Sequence, residues 1–185
     1  MTFLENDNIK LRALEPEDLD VLYRWENESE WWFYGNTSVP FSKFTLREYL
    51  ASADNDIYQL QQLRLMVIEK TDNLPIGTID LYDFNPMHQR AGVGIMLDAS
   101  RRGKGLGTQA LTLIKEYAFN FLSMNQLYAY IPQGNTASIK LFERCGFEQT
   151  GQLRQWIKLA QGFEDACVYQ LLNLKSATHC GQFSS

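Results

Sequence analysis

AGVGIMLDASRRGKGLGT, residues 91–108, reads as a short apolar strand (92–97), a basic turn (98–104) and a glycine-spaced loop that opens a helix. Gly103, Gly105 and Gly107 let the backbone turn its N–H groups towards one point with no Cβ in the way. The helix that follows brings the positive end of its dipole to the same point, beside Arg101, Arg102 and Lys104. A loop built this way is a phosphate cradle. Its other reading is a glycine-rich strand-to-helix connection that binds nothing.

Two phosphate-binding patterns can be set aside. A Walker loop needs a hydroxyl residue after its lysine, whereas Lys104 is followed by Gly105. Gly105-x-Gly107-x-x-Ala110 fits a dinucleotide fingerprint after a strand. That fold needs an acidic residue at the end of the next strand, and no Asp or Glu occurs between Glu116 and Glu143.

Arg102-x-x-Gly105-x-Gly107 resembles the pyrophosphate motif R/Q-x-x-G-x-G/A of the GNAT superfamily of acetyl-CoA-dependent N-acetyltransferases. A second family block lies downstream: Asn135-x-x-Ser138-x-x-Leu141-Phe142-x-x-x-Gly146-Phe147 is similar to N-x-x-A/S-x-x-L-Y-x-x-x-G-F. Two linked motifs in order, separated by one helix and one strand, carry more weight than either alone, and the resemblance covers residues 8–174.

A chain of 185 residues is the size of one domain with one sizeable core. With 45% hydrophobic and 21% charged residues it is a globular chain, neither disordered nor fibrous. A net charge of −5 argues against non-specific nucleic-acid binding and is compatible with cationic acceptors such as amines, though it serves solubility equally well. Neither a signal peptide nor a membrane span is expected. Cys145, Cys167 and Cys180 lack metal spacing and suit free thiols in a reducing, cytoplasmic compartment, and no metal site is expected.

Taken in order, residues 9–14 alternate as an edge strand, and Glu15-Pro16-Glu17-Asp18 starts a helix with an apolar face down to Asn27. The aromatic-rich stretch 28–44 reads mostly as core, with one or two rings lining an acceptor pocket. Glu26, Glu28 and Glu30 either attract a cationic amine or form a solvated face. A short helix over 45–52 precedes strands at 63–69, 75–84 and 92–97. Spacings of three and four predict an amphipathic helix from Leu106 to Leu122. A strand at 127–131 leads to a helix capped by Asn135 or Thr136 and stopped by Gly146. Strands 147–159 and 163–174 complete the chain; residues 1–174 form the domain and 175–185 a mobile tail. The fold class is α/β, a single mixed, mostly antiparallel sheet flanked by helices, in agreement with the GNAT topology.

The resemblance implies that strand 92–97 splays from strand 127–131 and that acetyl-CoA lies in the gap, its acetyl group attacked directly by the bound amine. Backbone groups of Ile95, Met96 and Leu97 would bind the pantetheine arm. Amides of Arg102, Gly103, Lys104, Gly105, Leu106, Gly107 and Thr108 would hold the pyrophosphate. Asn135, Ser138 and Phe142 would border the arm and thioester. Gly92 and Gly94 weaken their strand and suggest a bulge there.

Two positions depart from the family. Phe142 stands where many members carry the tyrosine that protonates the leaving sulfur, and Gly92 where many place a glutamate that relays the amine proton. Ser138 is the remaining candidate donor, a helix-capping hydroxyl being its other role; Tyr82, Tyr128 or Tyr130 could act through a water. The base is unassigned, and bulk water could suffice. Gly162-x-x-Asp165-x-x-x-Tyr169 resembles the RimJ/RimL-type acetyltransferases of protein N-termini, which is the first subfamily expectation; the spermidine/diamine type is the second. The acceptor is accordingly a peptide N-terminus, a polyamine or another small amine, and the assembly considered is a homodimer. The competing function is an acyl-CoA-binding sensor or partner module that kept the cradle and lost catalysis.

Overall fold

The computed structural model describes residues 3–28, 32, 39–52, 56–159 and 161–174. Along the chain run β1 (Ile9–Arg12), α1 (Leu19–Glu26), α2 (Lys43–Ser52), the single turn α3 (Ile57–Leu60), β2 (Leu63–Glu69), β3 (Leu74–Asn85) and β4 (Arg90–Leu97). Then come α4 (Leu106–Asn120), β5 (Gln126–Pro132), α5 (Thr136–Arg144), β6 (Glu148–Leu159) and β7 (Gly162–Leu172). The strands form one sheet in the order β1-β2-β3-β4-β5-β7-β6. Every neighbouring pair is antiparallel except β4 with β5. The expected class is the one observed, and so is the order of elements among the described residues apart from the single turn α3.

β2 shows why the sheet sits where it does. Its run LRLMVIE is apolar on both faces, as a strand covered on both sides must be. Leu65 and Val67 join the larger core with Ala110, Leu111 and Ile114 of α4. Met66 and Ile68 point the other way and pack with Leu14 and with Leu22 and Trp25 of α1. So α4 and α5 cover one face, while α1 with Tyr49 and Leu50 of α2 packs on β2 and β4 side chains of the other.

Asp98, just past β4, ties α1 down. Its Oδ1 accepts from Ser100 N (3.1 Å) and Ser100 Oγ (2.8 Å), capping a short helical turn. Its Oδ2 accepts from Trp25 Nε1 (3.2 Å) and Arg24 Nη2 (3.2 Å) of α1.

Four expectations need correction. The irregularity placed in β4 by its glycines lies in β3 instead: β4 pairs without a break from Leu97 to Gly92, and the register slips between Tyr82 and Asn85. Asp83 there takes the left-handed conformation (φ 47°). An Asp tolerates that conformation through local hydrogen bonding, a weaker sequence signal than glycine. Phe44, expected in the core, is 65% exposed, and Phe41 is half-buried. The helix from Leu106 ends at Asn120, with Phe121 as its cap, rather than at Leu122. α3 was not foreseen because four residues carry no period; the Asp56 side chain caps it and Gln61 (φ 54°) ends it. Trp31, Phe33 and Tyr34, like the expected tail 175–185, lie outside the described residues.

Gly92 is required by a neighbour. A Cβ built on it would lie 2.2 Å from Tyr82 Cε2. Gly92→Ala should therefore force the ring aside and destabilise by about 1–3 kcal/mol, as overpacking does. In a urea titration, Tyr82→Ala should abolish most of the additional cost of Gly92→Ala; additive losses would refute the contact.

Asp98 has its carboxyl held below the ordinary range, first by the Ser100 hydroxyl and against a desolvation cost, with help from Trp25 and Arg24. A depressed folded value gives stability that is present above the unfolded value near pH 3.9 and lost as pH falls through the folded one. Asp98→Ala should cost about 1–2 kcal/mol at pH 7, and the difference from the unsubstituted protein should shrink below pH 4 in the same titration.

Candidate active site

The site begins where two strands part. β4 and β5 pair only at Arg90–Gln126, Ala91–Leu127 and Gly92–Tyr128. Beyond Gly92, β4 keeps β3 and β5 keeps β7, and among the described residues no strand lies between them. A cleft of about 230 Å³ occupies it, bordered by Ile95 and Met96 of β4, Tyr130 and Ile131 of β5, and the first turns of α5. A second cleft of about 560 Å³ follows the glycine loop. Ile95, Asn135 and Ser138 line both, so the two run into one another.

The loop has the form an anion requires. Gly103 (φ 78°) and Gly105 (φ 76°) take left-handed conformations, and a Cβ built on either would meet nothing within 4 Å. The side of the loop is thus open to a ligand. The first intrahelical bond of α4 reaches from Gln109 N back to Gly105 O (3.2 Å). The N–H groups of Leu106, Gly107 and Thr108 therefore have no helical acceptor and sit at the positive end of a 15-residue helix. Gly107 packs close to its neighbours, and a Cβ added there would lie 3.2 Å from Leu97 Cδ1. These residues fit the diphosphate of coenzyme A.

The expected contributors do not all act alike. The Arg102 amide is already used, donating to Ala99 O (3.4 Å), while its side chain borders the larger cleft and donates Nε–H to Leu97 O (3.0 Å). The Leu106 side chain is buried in the core, leaving only its amide to offer. Lys104 is exposed beside the loop, outside the cleft lining. Met96 borders the smaller cleft and Leu97 the larger. Sequence reading missed Lys140 and Arg144, one turn apart on α5, which bring two cations to the cleft wall opposite Arg102. The signal was present: residues 137, 140, 141 and 144 recur at helical spacing on one face.

At the junction of the clefts Asn135 caps α5, its Oδ1 accepting from Ser138 N (3.1 Å). Its amide nitrogen is what remains to meet a ligand. Ser138 Oγ has no hydrogen-bond partner among the described residues and borders both clefts. Phe142, one turn further along, is 2% exposed, meets Phe147 edge-on at 4.9 Å between ring centres, and forms the apolar wall of the smaller cleft. Burial raises the Tyr82 and Tyr128 phenols well above their ordinary value, aided at Tyr128 by the charge of Asp83. Both are held as phenols and are reluctant acids.

The far end of the smaller cleft is charged. Arg64 donates Nε–H to Asp80 Oδ1 (2.6 Å), a second bond to Asp80 Oδ2 (3.3 Å), and Nη1–H to Glu26 Oε1 (2.7 Å). Burial opposes the guanidinium charge, but Asp80 more than offsets it and holds the Arg64 pKa above its usual value. One cation thus bridges two carboxylates, all three about a fifth exposed (17–24%). Gly94 of β4 faces this carboxylate: a Cβ built there would meet Asp80 Oδ2 at 3.9 Å, an ordinary contact. Of the expected glutamates Glu26 borders the cleft and Glu28 is exposed, while Glu30 lies outside the described residues. Arg64 and Asp80 were missed because neither belongs to a local motif; the register Arg64–Asp80 joins them. No group of three or more metal-ligating side chains occurs among the described residues, nor any helix long and apolar enough to cross a membrane.

The motif read as RimJ/RimL-like serves the fold. Asp165 Oδ1 accepts from Gln155 N (2.7 Å) and its Oδ2 from Gln152 Nε2 (2.8 Å), pinning a bulge in β6, while Tyr169 Oη donates to Glu143 Oε1 (3.0 Å). None of these contacts discriminates between acceptors.

The family model of the acetyltransferase (GNAT) domain matches residues 8–148. The spermidine N(1)-acetyltransferase of Escherichia coli K12 is 28% identical over 169 residues, covering 88% of this chain and 87% of the relative. An uncharacterised N-acetyltransferase, p20, of Bacillus licheniformis is 29% identical over 178 residues, covering 96% and 99%. The crystal structure of spermidine N-acetyltransferase from Vibrio cholerae in complex with CoA and spermine matches with a TM-score of 0.80 at 24% identity, covering 93% of this chain and 99% of that one, a likeness of fold. These relatives match the spermidine/diamine expectation placed second, and the RimJ/RimL type placed first is not shown by them. The two motifs, the parted strands and the loop's free amides belong together: the chain is an acetyl-CoA-dependent N-acetyltransferase and a member of the GNAT acetyltransferase family.

Proposed function

We propose that the acceptor is a linear polyamine, held at its reacting end by Glu26 and Asp80. The observation that carries this reading is the Arg64-bridged carboxylate pair at the floor of the smaller cleft. An aliphatic amine is cationic at neutral pH, with a pKa near 10, so it must be drawn in as a cation and then lose a proton. Two carboxylates against one guanidinium leave the pair net negative, which does the first. Asp80, which borders the smaller cleft opposite Gly94, is placed to take the proton directly or through one water. The spermidine N(1)-acetyltransferases among the relatives act on an acceptor of this chemistry.

Acetyl-CoA supplies the acyl group, with its diphosphate on the amides of residues 103–108 and its arm along Ile95, Met96 and Leu97 past Asn135. The Arg102, Lys140 and Arg144 side chains add charge along that course. Ser138 Oγ is the protic group at the junction and returns a proton to the leaving sulfur, while the Phe142 ring excludes water beside it. Free Cys145 and Cys167 suit a cytoplasmic site of action.

Acetyl-CoA turnover followed by thiol release, with spermidine, spermine, short monoamines and peptides as acceptors, tests the assignment. Polyamines should give the highest kcat/KM, and peptides alone as substrates would overturn it. Asp80→Asn should lower kcat by about 10²–10⁴, the range for loss of a positioned base, with acetyl-CoA affinity retained in calorimetry.

For proton return, Ser138→Ala should lower kcat while Phe142→Tyr leaves it equal or higher, the added hydroxyl being a donor where phenylalanine has none. Unchanged turnover in Ser138→Ala, measured in the same assay, removes the serine from the mechanism.

A further inference from the structure

Across β5 from the acceptor cleft lies another, of about 470 Å³, whose lining includes Asp83, Arg90, Gln126, Tyr128 and Gln170. Tyr130, 43% exposed, lines both and is the hinge between them. Two of the sheet's four register shifts flank this one place. In β3 the left-handed Asp83 (φ 47°) brings its carboxylate to Tyr128, whose Oη donates to Oδ2 at 3.2 Å. In β6 the left-handed Gln155 (φ 49°), held by Asp165, precedes Trp156, which is 59% exposed with its ring 6.4 Å from that of Tyr130. Left-handed non-glycine residues cost about 1–2 kcal/mol each, and bulges re-aim side chains. Here both re-aim them towards one row of rings.

We propose that this aromatic row with Asp83 is a subsite for the remote ammonium groups of the acceptor, a polycation too long for the first cleft alone; the inference rests on the polyamine reading above. Ring centres stand 5.4 Å apart from Tyr128 to Tyr130 and 6.4 Å from Tyr130 to Trp156. A link of three or four methylenes between nitrogens spans about 5–6 Å from standard bond lengths. Successive ammoniums can thus meet successive rings, each within the roughly 6 Å reach of a cation–π contact. Facing the track are three carboxylates (Glu26, Asp80, Asp83) and two guanidiniums (Arg64, Arg90), a balance of one negative charge. The net negative charge lies at Glu26 and Asp80 around Arg64, and in the second cleft Arg90 balances Asp83, so the attraction for a distal cation there comes from the rings and from the Asp83 carboxylate held beside Tyr128. The subsite sets chain-length preference and leaves the chemistry at Asp80 and Ser138 untouched.

The test is steady-state kinetics of the full chain at saturating acetyl-CoA with butylamine, spermidine and spermine. The variants are Trp156→Ala, at an exposed position, and Asp83→Asn, which keeps a residue type at ease in the left-handed conformation. Each should raise KM for spermidine and spermine about five- to tenfold, with kcat held and butylamine kcat/KM within twofold. An equal loss on butylamine, or unchanged polyamine KM, overturns the subsite while the polyamine assignment stands. A wild-type protein that turns over butylamine and no polyamine overturns both.

Discussion

β4 cannot keep two partners along its whole length. Its inner half is held between β3 and β5; from Gly92 onward it pairs with β3 alone, because β5 turns away with β7. That parting exposes a strand edge inside the molecule, where unpaired backbone groups ordinarily carry a cost. In the reading proposed above this edge is the docking surface for an extended pantetheine arm. The cleft, the position of α5 across it and the direction in which the glycine loop faces all follow from this fork.

The charges are sorted along the same line. At one end stand the free amides of α4 with Arg102, Lys140 and Arg144; at the other, Glu26 and Asp80 around Arg64. On the proposed reading this sorting draws diphosphate and ammonium to opposite mouths of one channel, although the chain as a whole carries −5 and its overall charge distinguishes neither. Local placement decides, because screening limits the reach of exposed charges to about 10 Å at ordinary ionic strength.

The departures from the family pattern have physical counterparts. Gly92, where many relatives place a glutamate, is occupied above its Cα by the Tyr82 ring, whose edge-to-face contact with Tyr128 spans 6.0 Å between centres. A side chain at position 92 and that ring exclude one another, and in the proposed reading Asp80 of the neighbouring strand supplies the carboxylate instead. Phe142, where a tyrosine is usual, is a packed wall whose partner is Phe147. In the proposed mechanism the base, Asp80, lies off the two family blocks on a strand that the folded sheet brings near, while the donor, Ser138, stays within the second block.

What could be read directly was what is local. Gly103, Gly105 and Gly107 declared the cradle because their backbone freedom is written in their identity, and the run 63–69 declared a central strand because burial on both faces demands continuous apolar residues. The amphipathic helices and the Asn135 cap were legible for the same reason, since each is a pattern within one turn or two. The Arg64–Asp80–Glu26 cluster, the bulge at Asp83 and the meeting of Tyr130 with Trp156 were not, because they join residues 16 to 54 positions apart: 16 for Arg64–Asp80, 38 for Glu26–Arg64 and 54 for Glu26–Asp80. Strand register and the place where β4 and β5 part are set by the sheet's packing between helices, so the family and cofactor lay in the sequence, while the acceptor's surroundings were decided only by the tertiary structure.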